Sequence, residues 1–131
     1  MKTMTSTKSE LQVITCAKNL CSYIMTITQK SPKQFRFSLV GRLQTYALDV
    51  VEEMYLANDI YATSPQDWQK REAHQRSAMC RLKLLSYIAQ LSMEQGAIQL
   101  KQFEQISTQT LNAQNLLGAW ISSDKRRQKK E

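Results

Sequence analysis

Two prolines and three glycines are all the backbone breakers in 131 residues. Usual shares are about 5% and 7%. A β-sandwich or barrel needs a turn about every ten residues, and phosphate-cradling loops need clustered glycines. Neither fits this composition, so the chain is constrained to long helices. Its length suits one domain, able to bury roughly two-thirds of the surface its unfolded chain exposes. Hydrophobic residues make up 42% and charged residues 22%, a globular rather than a disordered balance.

Apolar spacing places four helices. The first is expected over about Ser9–Gln29, with Ser9 as N-cap and Val13, Ile14, Ala17, Leu20, Cys21, Ile24 and Ile27 on one face. Ser31-Pro32-Lys33-Gln34 reads as a capping box opening a second helix that runs to about Tyr61. Its stripe is Leu39, Val40, Leu43, Tyr46, Ala47, Val50, Val51, Met54 and Ala57, with Asp49, Glu52 and Asp59 on the opposite side and Glu53 nearer its edge. Gly41 within this helix suggests either close approach of another backbone or simple tolerance.

Ser64-Pro65-Gln66-Asp67 starts a third helix ending near Gln95, before Gly96 as a left-handed C-cap. Trp68, Ala78, Met79, Leu82, Leu85 and Ala89 face inward. Leu84, Ile88 and Leu91 form a second strip roughly 150° away on the helical wheel. That strip reads as a subunit interface, with an unusually wide core face as the alternative. A fourth helix is expected over about Leu100–Ser122, with Leu100, Phe103, Ile106, Thr110, Leu111, Leu117, Trp120 and Ile121 inward. Short loops then give an all-α, antiparallel up-down-up-down four-helix bundle over residues 9–123. Residues 1–8 are expected to be a flexible N-terminus and residues 124–131 a basic, flexible tail.

No apolar run approaches the ~18 residues of a membrane span, and Met1–Ser6 lacks the apolar stretch of a signal peptide. The expectation is a soluble, cytoplasmic protein with no membrane partner. Cys16, Cys21 and Cys80 make a poor disulfide framework and read as buried free thiols. Without CxxC and with one histidine, no metal site is expected. His74 reads as a surface or edge histidine, and the acids of the second helix as a solvated or base-paired face. No G-x-S-x-G or Walker loop occurs. Neither catalytic residues nor a cofactor are expected.

The basic residues are better organised. Eighteen bases against eleven acids leave a net charge of +7, which draws polyanions. Arg76 and Lys83 stack on one edge of the third helix's stripe, and Lys70, His74 and Arg81 line the other. Arg36 and Arg42 add to them from the second helix, and Lys125, Arg126 and Arg127 after the fourth. A handful of such phosphate contacts gives salt-sensitive binding to RNA or DNA. Tyr46, Trp68 and Trp120 fall on core faces and offer no stacking platform, so backbone and shape would be read rather than base sequence.

Two segments carry a resemblance. Pro32, Arg36, Phe37, Leu39 and Leu43 match the P-x-x-x-R-F-x-L-x-x-x-L opening of the second helix in a four-helix-bundle family. That family comprises the 23S rRNA intervening-sequence proteins and the accessory variability determinants of diversity-generating retroelements. Leu116-Leu117-Gly118-Ala119-Trp120-Ile121-Ser122-Ser123 is similar to the family's L-G-G-W-I-x-S ending of the fourth helix, with Ala119 in place of the second glycine. Leu82–Leu85 and Phe103–Ser107 sit where the family has comparable patterns. The resemblance implies a basic homo-oligomer, in many members a pentamer. In the retroelement branch it implies a non-catalytic partner of a reverse transcriptase that binds template RNA and supports mutagenic cDNA synthesis. The alternative is an oligomeric protein-interaction bundle of the intervening-sequence type, with no direct nucleic-acid role.

Overall fold

Helix ends in this chain are set by hydrogen bonds that local sequence can supply. In the computed structural model, which describes residues 4–130 with side chains from residue 12 onward, four α-helices occur. They are α1 (Met4–Thr28), α2 (Leu39–Asp59), α3 (Pro65–Glu94) and α4 (Leu100–Lys130). No strand occurs among the described residues. Ser64 caps α3, its Oγ accepting from the Asp67 N–H at 3.2 Å, with Pro65 in the first turn where no donor is lost. The Asp67 carboxylate in turn accepts from the Thr63 N–H at 3.1 Å and hydroxyl at 3.0 Å. Those bonds hold its carboxyl below its ordinary value. At the other end Gly96 takes φ +87°. Its N–H bonds the Met93 carbonyl at 3.2 Å while the Ala97 N–H bonds Ser92 at 2.7 Å, the paired closure of a Schellman motif.

The start of α2 departs from expectation. Ser31 does not cap it; its hydroxyl donates to the Ala97 carbonyl at 2.7 Å, tying the α1–α2 turn to the α3–α4 turn. Pro32–Ser38 instead forms a 3₁₀ turn over Lys33–Phe35 and a further turn, so α2 begins at Leu39. The turn folds back on the helix it precedes, and a Cβ at Gly41 would lie 3.1 Å from the Arg36 carbonyl oxygen. Close approach therefore explains Gly41, although the neighbour is the chain's own turn and not another helix.

The helices pack in a ring in chain order, each on the next and α4 back on α1, and the backbones of α1 and α3, and of α2 and α4, do not approach closely among the described residues. Val13, Ile14, Ala17, Leu20, Leu43, Met54, Leu82, Leu85, Ile106, Leu117 and Trp120 fill the centre. The inward faces read from spacing hold with two exceptions, since Leu100 and Leu111 are exposed. α1 begins at Met4, so Ser9 lies within the helix and not at its N-terminal end; residues 1–3 lie outside the described residues. Residues 124–130 are helical and extend α4. Asp124 is the reason: it is buried against α3, which gives the polar segment a packed anchor. No helix among the described residues is long and apolar enough to cross a membrane.

The second strip of α3 divides. Leu84 is 38% exposed and Leu91 half-buried, but Ile88 is 8% exposed and part of the core. Ile88 stands seven residues after Arg81 and fourteen after His74, both of which meet acids of α2. It therefore lies on the edge that packs against α2 and is unavailable to a partner. Ile88→Ala is expected to cost about 2–4 kcal/mol in denaturant unfolding. Leu84→Ala should cost less than about 1 kcal/mol; equal losses would contradict this division.

Candidate nucleic-acid interface

A base already paired with a carboxylate has less to gain from a phosphate than one without such a pair. Four of the nine bases singled out by charge and placement are engaged within the fold. Arg81 Nε meets Asp49 at 3.3 Å and its guanidinium lies over the Tyr46 ring. Arg76 and Lys125 converge on Glu72 at 3.0 and 3.3 Å. Partial burial pushes the Glu72 carboxyl up, but the hydrogen bonds and charges of Arg76 and Lys125 outweigh it and leave the group below its ordinary value. Arg127 pairs with Asp124. Arg36, Arg42, Lys70, Lys83 and Arg126 are exposed and form no ion pair with the described residues.

Three of the unpaired bases are dispersed: Lys83 on the outward side of α3, Lys70 near its start, and Arg126 near the end of α4. The other two belong to a group. Lys30, Lys33, Arg36 and Arg42 follow one another through the α1–α2 turn and the first turn of α2, all exposed. Between Glu10 and Asp49 the sequence contains no acid, so nothing local neutralises them. Beside Arg36, Phe37 is 94% exposed, while the Arg42 guanidinium covers the half-buried Tyr46 ring at 5.9 Å. Trp68 and Trp120 are buried and Tyr46 half-buried, as expected, but Phe37, the most exposed large apolar side chain among the described residues, stands among bases with no paired carboxylate. An exposed aromatic beside arginines suits base stacking and phosphate contact together. The acid-free run and the aromatic interleaved with its bases were the signals in the sequence.

Far from this turn lies a buried polar cluster that periodicity could not locate. Arg71 and Asp124 side chains are each 7% exposed, with Nε–Oδ2 at 2.7 Å and Nη2–Oδ1 at 3.2 Å. Gln75 Nε2 donates to Asp124 Oδ2 at 2.9 Å, and Arg71 Nη1 donates to the Ile60 carbonyl at 3.2 Å. The Arg71 guanidinium sits over both Trp120 (5.2 Å) and Trp68 (5.9 Å). This cluster fixes the start of α3 to the end of α4. The α1–α2 turn, tied to Ala97 beyond the other end of α3, lies roughly 35 Å away at 1.5 Å per residue.

His74 Nδ1 meets Glu53 Oε1 at 2.6 Å, both half-buried. The carboxylate orients the ring, and no hydroxyl or thiol among the described residues hydrogen-bonds to it. No group of three or more metal-ligating side chains occurs among the described residues. Cys21 is buried and Cys16 half-buried, and burial pushes both thiols up; Cys80 is exposed, contrary to expectation.

No protein-family model matches this chain, and no curated protein or solved structure proves similar to it. The functional reading therefore rests on the residues, their geometry and the motif resemblance.

Proposed function

We propose that this chain is a non-catalytic, basic nucleic-acid-binding accessory protein whose principal contact surface is the α1–α2 turn. The observation that carries this reading is the group Lys30, Lys33, Arg36 and Arg42, which stands exposed beside Phe37 with no carboxylate paired to it. Lys83, Lys70 and Arg126 extend the positive surface elsewhere, while Arg81 and Lys125 pair with acids of neighbouring helices and Arg76 and Arg127 with acids of their own. The resemblance to retroelement accessory proteins names the partners in this reading: a reverse transcriptase and its template RNA, with the chain supporting mutagenic cDNA synthesis.

An antiparallel up-down-up-down arrangement belongs to the same reading. It is supported by crossed registers: Asp49 meets Arg81 while Glu53 meets His74, and Lys18 reaches Tyr55 while Thr28 reaches Gln44. Homo-oligomerisation, as a pentamer or otherwise, would use Leu84 and Leu91 together with the exposed Tyr87, in place of the buried Ile88. Free Cys16, Cys21 and Cys80 favour a reducing, cytoplasmic compartment.

The test is binding to a structured RNA and to duplex DNA across a salt series. Four to six phosphate contacts predict that affinity for single-stranded segments falls about 10²-fold between 50 and 200 mM salt. Binding that ignores salt would contradict the reading. Absence of binding at low salt would favour the second one, an oligomeric protein-interaction bundle with no nucleic-acid role, which the exposed Leu48, Leu56, Leu84 and Tyr87 support.

A further inference from the structure

The α1–α2 turn does more than display charge, because it encloses space. Behind it lies a cavity of about 430 Å³ whose walls include Thr28, Lys30, Lys33, Arg36, Val40 and Gln44. No carboxylate is among its walls. We propose that this cavity is a site for a phosphate monoester, and that its ligand is the 5′-phosphorylated end of a nucleic-acid strand. The proposal rests on the nucleic-acid reading above and assigns the strand end to a particular part of the surface.

Charge favours a monoester over a passing diester. Three cationic side chains border one partly enclosed space. A terminal phosphate carries about −1.5 to −2 at pH 7, against −1 for each internal diester. The more highly charged group gains more from such a site, and enclosure strengthens each interaction relative to open water. Arg36 supplies a planar fork suited to two phosphate oxygens at once, while Lys30 and Lys33 act as point charges.

The walls are also held in place. Gln44 Nε2 donates to Thr28 Oγ1 at 3.0 Å, and that hydroxyl donates to the Ile24 carbonyl at 2.7 Å, so the α1 and α2 sides are hydrogen-bonded to each other. The Ser31–Ala97 bond holds the turn against the α3–α4 connection. Lys30, Ser31 and Pro32 also border a second cavity of about 180 Å³ that reaches Ile98 and Gln102. Together the two spaces fall within the several-hundred-Å³ range of small-molecule pockets, with room for the nucleoside attached to the phosphate.

The experiment compares a short single-stranded RNA carrying a 5′-phosphate with the same RNA carrying a 5′-hydroxyl, by fluorescence anisotropy at near-physiological salt. The 5′-phosphate is expected to tighten binding about tenfold, as a charge-assisted bidentate contact should. Lys33→Ala/Arg36→Ala should erase that difference, and Lys83→Ala should preserve it. Equal affinity of the two RNAs in the wild-type protein, each bound in a salt-dependent way, would overturn the phosphate site while leaving the nucleic-acid reading standing. Adenosine monophosphate, as competitor, separates the two sources of the same chemistry. Competition only at concentrations far above the RNA's Kd supports the strand end, and competition near that Kd overturns it in favour of a free nucleotide. Failure of both RNAs to bind even at low salt would remove the nucleic-acid reading and this proposal with it.

Discussion

Asp124→Ala is expected to lower the stability of the fold by about 3–5 kcal/mol, the cost of breaking a buried ion pair from one side. The carboxylate accepts from Arg71 twice and from Gln75 once, and Arg127 closes on it from the next turn of α4. Its removal takes away the carboxylate that the buried Arg71 guanidinium meets twice, beside the Trp68 and Trp120 rings. A domain of this kind has only about 5–15 kcal/mol of stability, so the loss is a large fraction of the whole. Urea or thermal unfolding measures it, and the far-ultraviolet signal should fall as residues 124–130 lose their anchor. Glu72→Ala breaks exposed pairs with Arg76 and Lys125 and should cost no more than about 1 kcal/mol. Replacing Arg71 and Asp124 together by apolar residues should restore much of the loss, since the buried guanidinium then leaves with the carboxylate it meets. A loss below about 1 kcal/mol for Asp124→Ala would mean that water reaches Arg71 and that the end of α4 is not held by this cluster.

Reversing Lys33, Arg36 and Arg42 to glutamate is expected to weaken RNA binding by 10²- to 10³-fold (~3–4 kcal/mol) and to make the salt slope shallower by about 2. All three side chains are exposed and none forms an ion pair with the described residues, so helicity and melting temperature should stay close to wild type. The equivalent reversal on α3 is a poorer experiment. Arg81→Glu would set a carboxylate against Asp49, and Arg76→Glu would oppose Glu72. Loss of binding there would be confounded by loss of packing. Unchanged affinity in the α1–α2 turn variant would remove the turn from the interface and leave Lys83, Lys70 and Arg126 to carry it.

Much of the fold was legible because it is written locally. Serine before proline with an acid three residues later caps α3, and Gly96 ends it, through hydrogen bonds spanning five residues or fewer. Apolar spacing of three and four located the buried faces of all four helices, since the helical period is a property of the backbone itself. The same local grammar failed at Ser31. There a hydroxyl that reads as a cap bonds a carbonyl 66 residues away, and sequence spacing carries no record of that encounter. Ile88 failed similarly, because the width of α3's buried face depends on how much of it α2 covers.

The candidate site shows the division most plainly. Net charge, the acid-free stretch before Asp49 and the Arg-Phe pair at 36 and 37 are present in the sequence and fix that a strongly basic, partly aromatic surface exists. Which bases remain available was decided only by tertiary structure. Asp49, Glu72 and Asp124 each take the bases that the packing of neighbouring helices brings within reach, up to 53 residues along the chain. Composition counts charges, but Coulomb attraction acts over ångströms of space, and only the packed helices set those distances.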